Sequence, residues 1–452
     1  MPTLTQDIAR FVTGLKLETM PREVTDKARA CLVNALGMAV NGFDTPYAPV
    51  ARRAALALDG EVPGGATLFG DGRRSTIGAA CLANSALFHG RAQEDTCGAA
   101  HFGTILIPML LAMTEARGYP LARLIPALVA GYEAGGLLEN AFAGATTPNG
   151  FRSSAVYGGV AAAAAAGKIM GLSEAQLASA LANAVSFTGG VLQPFADGTD
   201  EWRYQVGIVA RNGLAAAELA AAGSVSAPHA FEGKAGFIAC FAGVAPPADL
   251  ASRLGRDWSI LRVTFKPYPV CAFNQTPVTG ALVLRQQLGG QELASVRVRM
   301  NPYETGYAGM DAAGPFNSIS GTLMSIPFCI ATTLVHGAPS MRHMTTYDDA
   351  AVNALVAKTE LVTDPEVAVL SAVIEAQTTA GIKHVHSQKM TPADYAFDRA
   401  TLRELLTRTG AEQGLAPELF DRIERVVDAL PNGRIQEIVD LFAAIERRRQ
   451  AA

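Results

Sequence analysis

The sequence predicts a mainly α protein, with a large all-helical domain and a smaller α+β domain. Three observations carry this. From the start to about residue 255, apolar and small residues fall in long runs headed by helix-start signals. At Trp258 the character changes, and Ile260 to Phe265 and Ser295 to Met300 (S-V-R-V-R-M) alternate with period two, as half-buried strands do. From about residue 394 the helical pattern returns. The helical domain is therefore drawn as 1–255, completed by C-terminal helices over 394–452, and the α+β domain as 256–393.

Each element has a local signal. Leu4 to Leu15 is amphipathic, and Pro21 with Arg22-Glu23 opens a helix to Ala39, because proline suits a first helical turn. Tyr47 to Leu58 is a third helix, and Gly60 to Arg74 is a glycine-rich loop with a short extended piece at A-T-L-F-G. Ile77 to Phe88 and Ile105 to Thr114 are apolar enough for buried helices, and Pro120 to Leu138 carries Tyr132 and Glu133. Asn149 to Ser154 is a loop into a small-residue helix, Ala155 to Met170, and Ser173 caps the helix after it. Asp197 to Gln205 is a polar break before a helix over Val206 to Ala222. In the second domain Gln275 to Leu288 and Met324 to Leu334 are helices. Val367 to Ala376 and Ile382 to His386 flank Thr378-Thr379-Ala380-Gly381 as a hairpin. Asp394 to Thr407, Ala416 to Ala429 and Ile435 to Arg448 close the chain as helices.

Composition narrows the function classes. The chain has 452 residues, 49% apolar and only 17% charged, with a net charge of −4 and both signs interspersed. No basic patch argues for nucleic acid as a partner. Chains this low in charge bury much of their surface, sometimes in an oligomer. Met1 to Arg10 lacks the apolar core of a signal peptide, and no run of about 18 uncharged apolar residues stands clear of breaks, so no membrane partner is expected and a soluble cytoplasmic protein is. The six cysteines form no C-x-x-C pair and no zinc-finger spacing, which fits buried thiols and no metal site. There is no phosphate-binding loop and no dinucleotide fingerprint.

The most informative stretch is Asn84 to Pro108. His89, Arg91, Glu94, Asp95, Thr96, Cys97 and His101 lie on a glycine-rich connection between two apolar helices. Polar groups there are costly unless satisfied, and function often lives on loops held by a rigid scaffold. The bland alternative is a helix connection whose charges face water.

This stretch resembles the MmgE/PrpD family, which includes 2-methylcitrate dehydratase, cis-aconitate decarboxylase and iminodisuccinate epimerase. The family pattern is N-G-x-x-x-H-A-x-D-[FY]-D-D-T with a histidine shortly after. The chain has Asn84-Ser85, then His89 to Thr96, then His101, with Ala92 at the pattern's first carboxylate. Gly150-Phe151-Arg152-Ser153-Ser154 is similar to G-[FW]-H-x-T, with Arg152 in place of histidine. Gly198 to Gly207 aligns with G-T-x-x-K-x-x-H-x-G, with Trp202 for lysine and Gln205 for histidine. Lys266-Pro267-Tyr268-Pro269-Val270-Cys271 matches K-P-[YW]-P-x-C almost residue for residue, and the histidine expected four residues on is Gln275. Phe328, in S-I-P-F, stands where members often carry tyrosine.

The resemblance implies the same two-domain plan, a homodimer, and proton chemistry beside a carboxylate with neither metal nor organic cofactor. It implies Asp95, His101 and Lys266 as catalytic residues. Thr96, Arg152, Trp202, Arg203, Tyr204, Gln275 and Phe328 are the implied substrate contacts. Arginine holds a carboxylate but does not act as a base. Trp202 and Tyr204 read equally well as core residues, and Arg152 as a solvated loop residue. The expected function is a cofactor-independent lyase or isomerase that abstracts a proton next to a carboxylate or carbonyl of a small substrate other than 2-methylcitrate or cis-aconitate. The alternative is a non-catalytic small-molecule binding protein on the same fold.

Overall fold

The computed structural model describes residues 2–451. The chain divides into two compact units. The first comprises Met1–Val191, Arg203–Phe265 and Phe397–Ala452, and the second Leu192–Trp202 and Lys266–Ala396. The sequence reading drew 255/256 and 393/394; the units instead change at 265/266 and 396/397, and the segment Leu192–Trp202 joins the second unit.

The first unit is helical because its helices are apolar on most faces. The helices Ile77–Phe88, Gly103–Arg117, Leu124–Thr146 and Ser153–Met170 are buried along nearly their whole length. Small residues set how closely they pack. A Cβ at Gly135 would lie 2.7 Å from the Ala161 Cβ, and one at Gly213 2.3 Å from the Ala162 Cβ. Arg399–Ala411 and Glu418–Asp428 pack on the helix Arg22–Asn41. The segment Leu121–Thr146 is long and apolar enough to cross a membrane by length and composition, although no such run was read from the sequence. However, 89% of its most apolar stretch is buried inside the fold.

The second unit carries a four-stranded sheet in the order Thr359–Thr363, Leu293–Met300, Ser371–Thr378, Lys383–Lys389. The first pair is parallel and the other two antiparallel. Ser371–Thr378 alternates in burial residue by residue, and the helix Gln275–Leu288 packs on it and on Lys383–Lys389.

Several elements differ from expectation. Ile260 to Phe265 is not a strand: Ser259–Arg262 is a 3-10 turn, and only Val263–Thr264 is extended. The Glu133 carboxylate causes the turn, accepting the Ser259 and Ile260 N–H groups at 3.0 Å each. The polar break at 197–205 is shorter than read, because the helix Glu201–Ala221 starts four residues before Gln205. Met324 to Leu334 divides at Ser325, whose side chain caps the helix Ile326–His336. The edge strand Thr359–Thr363 went unread because none of its residues is fully buried.

Candidate active site

The stretch from His89 to His101 is a loop of the first unit, shaped by a few special backbone positions. Ala92 adopts a positive φ of 57°, uncommon for a residue with a Cβ and a recurrent mark of functional loops. Thr96–Cys97 pairs antiparallel with Val263–Thr264, and the Thr96 and Thr264 hydroxyls bond at 2.8 Å. Gly98 then turns the chain at φ 61°, where a Cβ would strike the Glu139 carboxylate at 2.1 Å.

Glu94 and Asp95 are consecutive and serve different surroundings. The Asp95 carboxylate accepts the Tyr132 hydroxyl at 2.5 Å and lies against Gly103, where a Cβ would sit 2.0 Å from its oxygen. Glu94 instead bridges two imidazoles. Its Oε1 lies 2.9 Å from His101 Nδ1 and its Oε2 3.2 Å from His89 Nδ1. The two rings are 5.2 Å apart. On the far side of His89, the Arg152 guanidinium approaches Nε2 at 2.8 Å and also donates to the Gln205 Oε1 at 3.2 Å. Guanidinium, imidazole, carboxylate and imidazole therefore form one line.

The protonation states follow from that order. An arginine only donates, so His89 accepts through Nε2 and its proton sits on Nδ1, facing Glu94. Burial drives the His89 imidazole down to about 3, against the opposing pull of Glu94, so it is neutral. Glu94 Oε1, 2.9 Å from His101 Nδ1, favours the proton on that nitrogen and so the tautomer with Nε2 unprotonated. The His101 backbone N–H donates to the Ser154 hydroxyl at 3.0 Å, tying the ring to the start of the helix Ser153–Met170. Glu94 is 1% exposed and the His101 side chain 16%, so His101 is the more accessible end of the pair.

The structure thus joins His101 and Arg152 of the expected residues through two that were not in the expected set, His89 and Glu94. The signal for both was in the sequence: His89 stands at the first histidine of the motif, and Glu94 at the first carboxylate of its D-D-T. Asp95 and Thr96 lie on the same loop with their side chains directed to Tyr132 and Thr264. Arg203 is buried over the Tyr47 ring at 3.8 Å, and Tyr204 follows it, half-buried.

The remaining expected residues belong to the second unit. Lys266 is 4% exposed at the start of the unit's longer segment, Lys266–Ala396. Gln275 fastens the loop after it: its amide donates to the carbonyls of Tyr268 and Val270 at 3.0 Å each and accepts the Tyr268 N–H. Trp202 is buried, donates to the Ser320 hydroxyl at 3.0 Å and packs on Phe195. Phe328 is buried edge-on against Phe316.

Residues 6–249 match the MmgE/PrpD N-terminal domain, and residues 268–395 match the MmgE/PrpD C-terminal domain. The chain belongs to the MmgE/PrpD family. It is 26% identical over 369 residues to a cis-aconitate decarboxylase of Aspergillus terreus, covering 76% of this chain and 74% of that protein. It is 30% identical over 281 residues to a cis-aconitate decarboxylase-like protein of Aspergillus oryzae, covering 58% of each. The human cis-aconitate decarboxylase is 26% identical over 298 residues, covering 64% of this chain and 61% of that protein. These likenesses support a lyase-type role for this MmgE/PrpD chain. Among the described residues, no group of three or more His, Cys, Asp or Glu side chains is placed to hold a metal ion.

Proposed function

We propose that this protein is a lyase that moves a proton beside the carboxylate of a small organic acid without a cofactor, with His101 as the proton-transfer group. The observation that carries the reading is the Glu94 bridge to His101 Nδ1 at 2.9 Å. A carboxylate on one imidazole nitrogen leaves the lone pair on the other, Nε2, and stabilises the imidazolium formed when that nitrogen takes a proton. Glu94 is a positioning residue in this scheme. Arg152 supplies positive charge beside the imidazole pair, with its guanidinium 2.8 Å from His89 Nε2 and 3.2 Å from Gln205 Oε1. A guanidinium suits a substrate carboxylate or the enolate that forms from it.

The substrate is less charged than the acids other members use. The chain has Arg152 and Gln205 where the family has histidines, and Trp202 where it has lysine. Arginine replaces a histidine as a cation, but tryptophan does not replace a lysine, and an unpaired buried carboxylate is expensive. The test is incubation in D2O with a panel of mono-, di- and tricarboxylic acids, cis-aconitate and 2-methylcitrate included, followed by mass spectrometry. The expected result is loss of CO2 from a mono- or dicarboxylate with solvent deuterium at the carbon it left, or loss of water with release of one carbon-bound proton to solvent. Deuterium entering a substrate of unchanged skeleton would indicate an isomerase instead. Conversion of cis-aconitate or 2-methylcitrate at kcat/KM of about 10⁴ M⁻¹s⁻¹ would overturn the substrate argument, and no turnover across the panel would favour a binding protein.

A further inference from the structure

The second unit contains a small polar cavity that the proposed reaction does not use. It measures about 250 Å³. One wall is a single face of the helix Ile326–His336, since Phe328, Thr332 and His336 recur at every fourth position. Arg342 and His343 come from the short helix Met341–Met344, and Asp349 from the start of the helix Ala350–Val356.

The chemistry of the lining is biased toward donors. Among the described residues, Asp349 is the one carboxylate on the wall, and it is engaged: Oδ1 accepts the Ala351 and Val352 N–H groups at 3.0 Å, and Oδ2 lies 2.7 Å from His336 Nε2. The His336 and His343 rings stack 5.0 Å apart at 14°. Ser340 donates its backbone N–H to His343 Nδ1 at 3.2 Å, which puts the proton of that ring on Nε2, as a donor. The Arg342 guanidinium makes no ion pair among the described residues, while its backbone carbonyl accepts from Thr345 and Thr346.

Thr332 supplies an independent indication. It is 1% exposed, and its hydroxyl has no hydrogen-bond partner among the described residues. Threonine in a helix ordinarily bonds back to the preceding turn, as neighbouring Thr333 does to the Cys329 carbonyl at 2.6 Å. A buried hydroxyl left unpaired is costly, and this one lies on the face that lines the cavity.

We propose that this cavity is a second ligand site, which holds a small oxyanion, a carboxylate or inorganic phosphate, on Arg342, His343 and the Thr332 hydroxyl. Arginine matches the planar edge of such an anion with two parallel donors. The cavity lies below the size of ordinary organic-ligand pockets, about 300–1,000 Å³, and so suits an ion of a few heavy atoms.

The test uses the full chain labelled at histidine Cε1, whose seven histidines give few signals. The signals are assigned by single His→Gln substitutions and followed while sodium phosphate and, separately, sodium acetate are added at constant ionic strength against sodium chloride. The expected result is a saturable shift of His336 and His343 with at least one of the two anions, and the responding arm identifies phosphate or carboxylate. His229, His384 and His386 stay in place. Arg342→Ala weakens the apparent Kd by about tenfold or more, and Thr332→Val weakens it by about fivefold. Shifts at His89 and His101 report the candidate active site and are scored separately. The proposal is overturned if His336 and His343 respond no differently from chloride, or if Arg342→Ala binds as the unmodified chain does.

Discussion

At the scale of single residues, the account rests on one carboxylate serving two imidazoles. Glu94 cannot orient His101 without its charge, so Glu94→Gln is the sharpest probe of positioning. The amide keeps the shape but loses the charge that stabilises an imidazolium. We expect kcat to fall on the order of a hundredfold, with KM changed little, measured on whichever acid the panel identifies. An unchanged kcat in a folded variant would show that Glu94 is structural. Part of this was legible in the sequence: His101 and Arg152 were named from motifs, and His89 and Glu94 stood in plain view beside them. What the sequence could not give is direction. Glu94 turns to the histidines and Asp95 to Tyr132 in a loop that carries a positive φ at Ala92. No local propensity announces that conformation at an alanine.

At the scale of elements, the 3-10 turn Ser259–Arg262 shows where sequence reading runs out. Alternation in I-L-R-V-T-F suggests a strand, yet the turn is fixed by Glu133, more than a hundred residues earlier. Local patterns cannot report such a partner. By contrast, the helices Ile77–Phe88 and Gln275–Leu288 were read at their observed bounds, because caps and apolar runs are local. Glu133 also gives a pH-dependent stability. Burial raises its carboxyl from 4.5 to about 7, against the two N–H groups that favour the charged form. A raised folded-state value gives stability that is present below 4.5 and is lost as pH rises through about 7. Urea unfolding of the unmodified chain and Glu133→Gln should therefore diverge between about pH 5 and about pH 8, the unmodified chain losing on the order of 3 kcal/mol relative to the variant. Parallel profiles would remove this role.

At the scale of the whole molecule, the low charged fraction and the exposed apolar residues ask for a partner. Ile208 and Leu219 lie on one face of the helix Glu201–Ala221 and are 43% and 44% exposed, with Phe187 40% exposed. We propose a homodimer that covers part of this surface. Light scattering at micromolar concentration should give twice the mass of 47.2 kDa, and a clean monomer would contradict it. The fold class was legible because two unlike patterns, helical and alternating, occupy separate stretches of chain. The affiliation of Leu192–Trp202 with the second unit was not, since its local pattern reads only as a polar break between helices.

The central claim is that His101 carries the proton, and it is tested most directly by solvent deuterium incorporation in the unmodified chain and in His101→Asn. Both are matched by circular dichroism and assayed on the same acid. The account predicts that deuterium enters the product at the carbon that loses CO2, or that one carbon-bound proton is released with loss of water, and that the variant slows this proton transfer by about 10²–10⁴-fold while still binding the acid. Incorporation at the same rate in the folded variant would place the proton transfer on another residue and contradict the account.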